Sequence, residues 1–141
     1  MRMIMAALAC AAALVLGAGN VQAQTAEDAF GTWRHPENGS HISVYKCGPG
    51  LCAKIVKVAD PSRKDVNNPD AKLRSRPVEG IVIMNGAQKS GANGWSGKLY
   101  NTLDGQTYSG SVTVIDKTHI KLEGCVLGGL VCQGPAWTRI N

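Results

Sequence analysis

A single phenylalanine stands among 141 residues, and all aromatics together make up 5% of the chain. So few large rings argue against a nucleic-acid surface built on stacked aromatics. Charge is scarce as well: Asp, Glu, Lys and Arg total 18%, against 44% hydrophobic residues. With a mean hydropathy of −0.07, that excludes a charge-rich disordered chain and a multi-span membrane protein. Phosphate-loop and Gly-x-Ser-x-Gly motifs are missing, which removes two common routes to catalysis. The histidines are few and scattered, at His35, His41 and His119. The carboxylates Glu79, Asp104, Asp116 and Glu123 fall near predicted strand ends without pairing. No catalytic residue and no cofactor is expected, and an enzyme is the minor reading. What is abundant is glycine, at 17 residues without a Gly-X-Y period. That composition belongs to a turn-rich chain and not to collagen.

The longest apolar run, Met3 to Leu16, follows Arg2 and precedes Val21-Gln22-Ala23. A positive start, an apolar stretch and a small-residue cleavage site read as a secretory signal peptide over residues 1–23. The run falls short of the roughly 20 residues that span a bilayer. Cys10 lies inside it, in a stretch that only loosely resembles a lipobox. Residues 24–141 are expected to form one domain, periplasmic or secreted. Loss of Arg2 lowers the formal charge from +5 by one. That is too modest for nucleic acid and suits anionic partners of the cell envelope.

Four cysteines remain beyond the signal: Cys47, Cys52, Cys125 and Cys132. An even number in an exported chain reads as disulfides, and four cysteines allow three pairings. Local pairs, Cys47 with Cys52 and Cys125 with Cys132, are favoured because each brackets a turn. A four-cysteine zinc site fits poorly, since the second pair has six intervening residues and zinc pairs usually have two to four. No metal is expected.

The rest alternates in the manner of strands. Expected strands are Gly31–His35, His41–Cys47, Leu51–Ala59, Glu79–Met84, Gly94–Asn101, Gln106–Ile115, Thr118–Cys125 and Cys132–Ile140, with Asn85–Asn93 as a loop. Eight strands joined mostly by short turns, with no crossover helix, make an antiparallel meander. Such a sheet closes into an up-and-down barrel without free edges. Glycines inside the strands, at Gly80, Gly97, Gly110 and Gly124, suit its bends. Residues 60–78 form the exception, a long loop without apolar period. Its Asp65, Asn67, Asn68 and Asp70 resemble a set of oxygen ligands for calcium but lack the EF-hand's Gly and Glu. Self-bonded Asx turns are the expected state. Arg74 and Arg76 alternate along it, able to grip a ligand anion or to pair with Asp65 or Asp70.

Gly31-Thr32-Trp33 on the first strand and Arg139 on the last resemble the lipocalin barrels, where an arginine lies across an indole and seals the base. Trp33, Trp137 and Arg139 are accordingly expected to be structural. The chain also resembles the bacterial domain-of-unknown-function family 2147. The matching stretches are Gly31-Thr32-Trp33, Cys47 with Leu51-Cys52, Asp65 with Asn67-Asn68, Leu73-Arg74-Ser75-Arg76-Pro77 and Gly80. They continue through Gly94-Trp95-Ser96-Gly97 with Tyr100-Asn101, Gly105 with Tyr108, and Gly124 with Trp137-Thr138-Arg139. The resemblance implies an exported lipocalin-like barrel and supplies no activity or catalytic residue. Within the family pattern, Gln133-Gly134-Pro135-Ala136 is an irregular approach to the last strand.

The resulting expectation is a barrel that binds a small apolar or amphipathic molecule in its mouth, in a cavity above about 300 Å³. Residues 60–78 serve as a lid. Trp95, Tyr100 and Tyr108 line the site, with Arg74 and Arg76 at its edge. The alternative is a protein-interaction module of the envelope, a stress factor or an inhibitor of a wall-active enzyme, presenting Arg74 and Arg76 to its partner.

Overall fold

The computed structural model describes residue 17 and residues 23–141. The signal-peptide reading and Cys10 therefore fall almost wholly outside the described residues. The domain is built from nine strands: β1 (Gly31–Arg34), β2 (His41–Cys47), β3 (Gly50–Lys57), β4 (Val82–Lys89), β5 (Gly94–Asn101), β6 (Gln106–Asp116), β7 (His119–Val126), β8 (Val131–Gln133) and β9 (Ala136–Arg139). Every pairing is antiparallel. Neighbours follow chain order from β1 to β7, β9 lies against β7, and β9 returns to β1. Eight strands thus close a barrel, and β8 is the extra one.

The alternation in β6 sets the pattern. Val112 and Val114 are buried while Ser111 and Thr113 are half-exposed. A row of glycines, Gly97, Gly110 and Gly124, crosses β5, β6 and β7 at one level. Its bare backbone leaves room inside the wall for the side chains of Leu99, Met84 and Tyr108. Gly80, by contrast, lies outside the strands.

Two expected strands differ by more than a residue or two at their ends. β4 begins later and runs through Asn85 to Lys89, which had read as loop. Within that added stretch Ala87 is buried and pairs with Leu51, while Ile83 and Met84 are buried earlier in the strand. The expected last strand, Cys132–Ile140, is broken in two. β8 and β9 keep one common register against β7, with Gln133 opposite Gly124 and Ala136 opposite Lys121. Gly134-Pro135 interrupts it. A Cβ on Gly134 would collide with the Leu122 carbonyl, and Pro135 has no N–H to donate. On its other flank β9 meets β1 only at Trp33–Arg139 and Arg34–Thr138. Among the described residues β8 has no strand partner there. The wall between β8 and the His35–Ser40 turn is therefore a seam without ladder hydrogen bonds.

The two ends differ. At one, the 3₁₀ turn Ala26–Ala29 plugs the barrel. Trp95 Nε1 donates to the Ala26 carbonyl at 2.7 Å and Trp33 Nε1 to that of Ala29 at 2.9 Å. Arg139 lies across the Trp33 ring at 4.2 Å from its centroid. Its guanidinium donates to the carbonyls of Lys117, Phe30 and Asp28. Exposed ion pairs of Lys89 with Glu27 and Lys117 with Asp28 add to the plug. Above it Ile42, Val44, Leu51, Met84, Val112, Val114 and Ile120 fill the interior. Each large apolar side chain so buried contributes about 1.5–3 kcal/mol.

Disulfides Cys47–Cys52 and Cys125–Cys132 are formed. The first ties the β2–β3 hairpin at the plugged end. The second ties the β7–β8 hairpin at the other end, where the His35–Ser40 turn, the long loop and the Thr102–Gly105 turn also gather. Among the described residues no helix is long and apolar enough to cross a membrane.

Candidate functional site

The long loop is built around one carboxylate. Asp65 is fully buried. It accepts from Tyr100 Oη (2.6 Å), Asn68 Nδ2 (2.9 Å) and Arg76 Nε (3.0 Å), with Arg76 Nη2 at 2.9 Å. Burial pushes its pKa up, but donation from Tyr100, Asn68 and Arg76 outweighs that and leaves the carboxyl below its usual value. Burial, then the carboxylate beside it, raises the Tyr100 phenol. Asn67 donates to the Leu103 carbonyl, and Arg63 Nη2 donates to Thr102 Oγ1 at 2.8 Å. The Asn67 backbone packs so closely on Gly105 that a Cβ would overlap it, and Gly105 also holds φ +73°. The loop is thereby fastened to the Thr102–Gly105 turn and lies over part of the mouth.

Beneath it the barrel is hollow. A cavity of about 260 Å³ has an apolar floor of Ile42, Ile55, Val78, Ile83, Leu99, Leu122 and Trp137. Its rim is polar: His35, Asn38, Ser40, Arg63, Tyr100, Asn101, Thr102 and Gln133. A second pocket, about 340 Å³, adjoins it through Asn101 and Gln133 and is walled by Tyr108, Gly124, Val126 and Val131. The two volumes straddle the lower bound of about 300 Å³ typical of small-molecule sites. The first borders the seam, with His35, Asn38 and Ser40 on one side and Gln133, Gly134 and Pro135 on the other.

The rim's hydrogen-bonding capacity is lopsided. His35 Nδ1 accepts from the backbone N–H groups of Glu37 and Asn38. Its ring proton therefore sits on Nε2. Burial holds the imidazole below its usual pKa. Asn38 Oδ1 accepts from Ser40 N and Asn101 Oδ1 from Leu103 N, which leaves both side-chain NH₂ groups. Trp137 is 8% exposed, stands edge-to-face with His35 at 4.8 Å, and its Nε1 has no partner.

The sequence-derived residues are distributed unevenly over this site. Tyr100 lies on the polar rim of the first cavity and Tyr108 lines the adjoining pocket. Tyr108 donates to Asp104 at 2.5 Å. Trp95, expected to line the site, is instead 2% exposed under the plug and absent from both pockets. It belongs to the closed end because its N–H caps Ala26 and its ring packs on Phe30 at 5.7 Å. Trp137, expected to be structural, lines the cavity. Trp33 and Arg139 sit together at the plug. Arg74 and Arg76 line neither pocket. Arg76 is spent on Asp65, and Arg74 Nε donates to the Asn68 carbonyl. His35, Arg63 and Gln133 were not singled out from sequence, because only the closed topology brings their distant segments to one rim. Asp65, Asn67, Asn68 and Asp70 satisfy one another and the local backbone. Among the described residues no three His, Cys, Asp or Glu side chains gather as a metal site.

No match was found among curated proteins. Among solved structures, the chain is similar to protein HP1028 of the human pathogen Helicobacter pylori, described as belonging to the lipocalin family. The two share 25% identity and a TM-score of 0.70, over 79% of this chain and 82% of that one. Residues 31–139, which run from the first barrel strand to the arginine that closes it, match the model of DUF2147, described as an uncharacterized protein conserved in bacteria, and the chain belongs to that family.

Proposed function

We propose that this protein is an exported binding protein that holds one small amphipathic molecule in the barrel mouth and does not transform it. The observation that carries the reading is the hollow at the unplugged end, with an apolar floor and a polar rim. That division matches a ligand with one oily and one polar part. Removing apolar ligand surface from water contributes about 25 cal/mol per Å², so the floor supplies affinity and the rim supplies orientation. Two disulfides suit an oxidising compartment, periplasmic or extracellular. His35 supports a binding role, since its basic nitrogen is already committed to two backbone N–H groups.

Native mass spectrometry of protein purified from its own host tests this. A population carrying an added small mass, lost on mild activation, is the expected result. The protein mass alone, together with failure to bind any single-chain amphiphile in titration, overturns it.

A further inference from the structure

The polar rim carries information about the ligand's charge. Neither pocket is lined by an aspartate or glutamate. One fixed cation, Arg63, is present, and its guanidinium bonds only to the neutral Thr102 hydroxyl. Asp60 feels the charge of Arg63, yet its carboxylate is held by Ser62 and it forms no ion pair with Arg63. The neutral groups point the same way. His35, Asn38 and Asn101 each have their acceptor atom occupied by backbone N–H groups and retain donors. Thr102 accepts from Arg63, so its own proton is what remains to offer. The Tyr100 hydroxyl already donates its hydrogen bond to Asp65. Trp137 Nε1 on the cavity wall is buried and has no acceptor among the described residues. A rim of spare donors around one half-buried cation favours a ligand that brings negative charge and acceptor oxygens.

We propose that the mouth selects amphiphiles with an anionic oxygen head, a carboxylate or phosphate on an aliphatic chain. The head sits at Arg63 with Asn101 and Thr102, and the chain lies over Leu122, Ile42 and Trp137. The proposal rests on the binding reading above and adds to it the sign of the head group.

Titrations with dodecanoate, dodecyl phosphate, dodecanol and dodecyltrimethylammonium, followed by tryptophan emission and calorimetry, test it. The two anions differ from each other only in which head the rim prefers. Both are expected to bind about tenfold to a hundredfold more tightly than the alcohol, the range for one charge-assisted hydrogen-bonded contact. The cation is expected to bind more weakly than the alcohol. Arg63→Gln should weaken the anions about tenfold or more relative to the alcohol, closing most of the gap between them. Arg63→Lys should recover part of the gap, with folding of both variants verified by circular dichroism. Equal binding of alcohol and anions, or tighter binding of the cation, overturns the charge assignment while the cavity reading stands. Binding of none of the four overturns both.

Discussion

Replacing Asp65 with alanine is the most informative perturbation of this barrel, because among the described residues that carboxylate is the only buried charge. The variant leaves Tyr100 Oη and Asn68 Nδ2 without their acceptor and removes the ion pair with Arg76. Hydrogen bonds to a charged group are worth about 1.5–3 kcal/mol each, and neighbouring ones do not add. The Arg76 side chain is 36% exposed, so it rehydrates once freed and its share is small. The total comes to about 3 kcal/mol. For a domain of this size 1 kcal/mol moves Tm by roughly 4 °C, so a fall of about 12 °C is expected. Local opening competes with global unfolding, since the loop is fastened mainly through this residue. Amide exchange over residues 64–77 should therefore accelerate more than exchange in β5 or β6. Asp65 also predicts an acid dependence. Its folded pKa lies below its unfolded value of about 3.9. Its stabilisation is complete above that value and is lost as pH falls through the folded pKa. Asp65→Asn should flatten that part of the acid limb. A melting temperature within 2 °C of the parent, roughly the effect of a neutral surface change, with unaltered loop exchange, would refute the reasoning.

Three further outcomes follow from other parts of the molecule. Arg139→Lys loses the fork that reaches three carbonyls; a cost of about 2 kcal/mol is expected in urea unfolding, while amphiphile affinity at the far end stays the same. The folded pKa of His35 is depressed by burial, so its contribution is fully present above the unfolded value of about 6.5 and declines as pH falls below it. Melting curves from pH 7.5 to 5 should show that slope, and His35→Gln should reduce it. Replacing Cys125 and Cys132 by serine together reopens a loop of sequence separation 7, which costs about 2 kcal/mol by loop-closure entropy. Ligand release, followed by stopped-flow fluorescence, should quicken because the hairpin tip at the mouth loosens.

Most of the wall was readable from sequence because alternation is a local property. The expected β2 and β5 agree with the structure at both ends, and the barrel follows from their number and short connections. β4 was misplaced because Asn85-Gly86-Ala87-Gln88-Lys89 has poor strand propensity. Pairing with β3 and β5 overrides that preference. The site was harder to read for a different reason. Which end of each strand faces the plug is decided by the Ala26–Ala29 turn docking on Trp95 and Trp33, a contact between segments some 70 residues apart. Without it Trp95 and Trp137 are interchangeable rings, and sequence does not tell which lies under the plug and which on the cavity wall. Arg63 was one charge among several in a loop, and only the bond to Thr102 places it at the mouth.

The seam beside β8 bears on how copies of this protein behave towards one another. A closed barrel offers no strand edge, but β8 leaves one half-wall unpaired, which in most sheets invites a second chain to add on. Here the invitation is withheld by construction. The free edge is three residues long, and Pro135 next to it cannot donate. The adjacent disulfide fixes the hairpin so that it cannot lengthen the edge by sliding. The unpaired edge beside the cavity is thus kept too short to template sheet growth, and the hollow end of the barrel carries no aggregation-prone edge there.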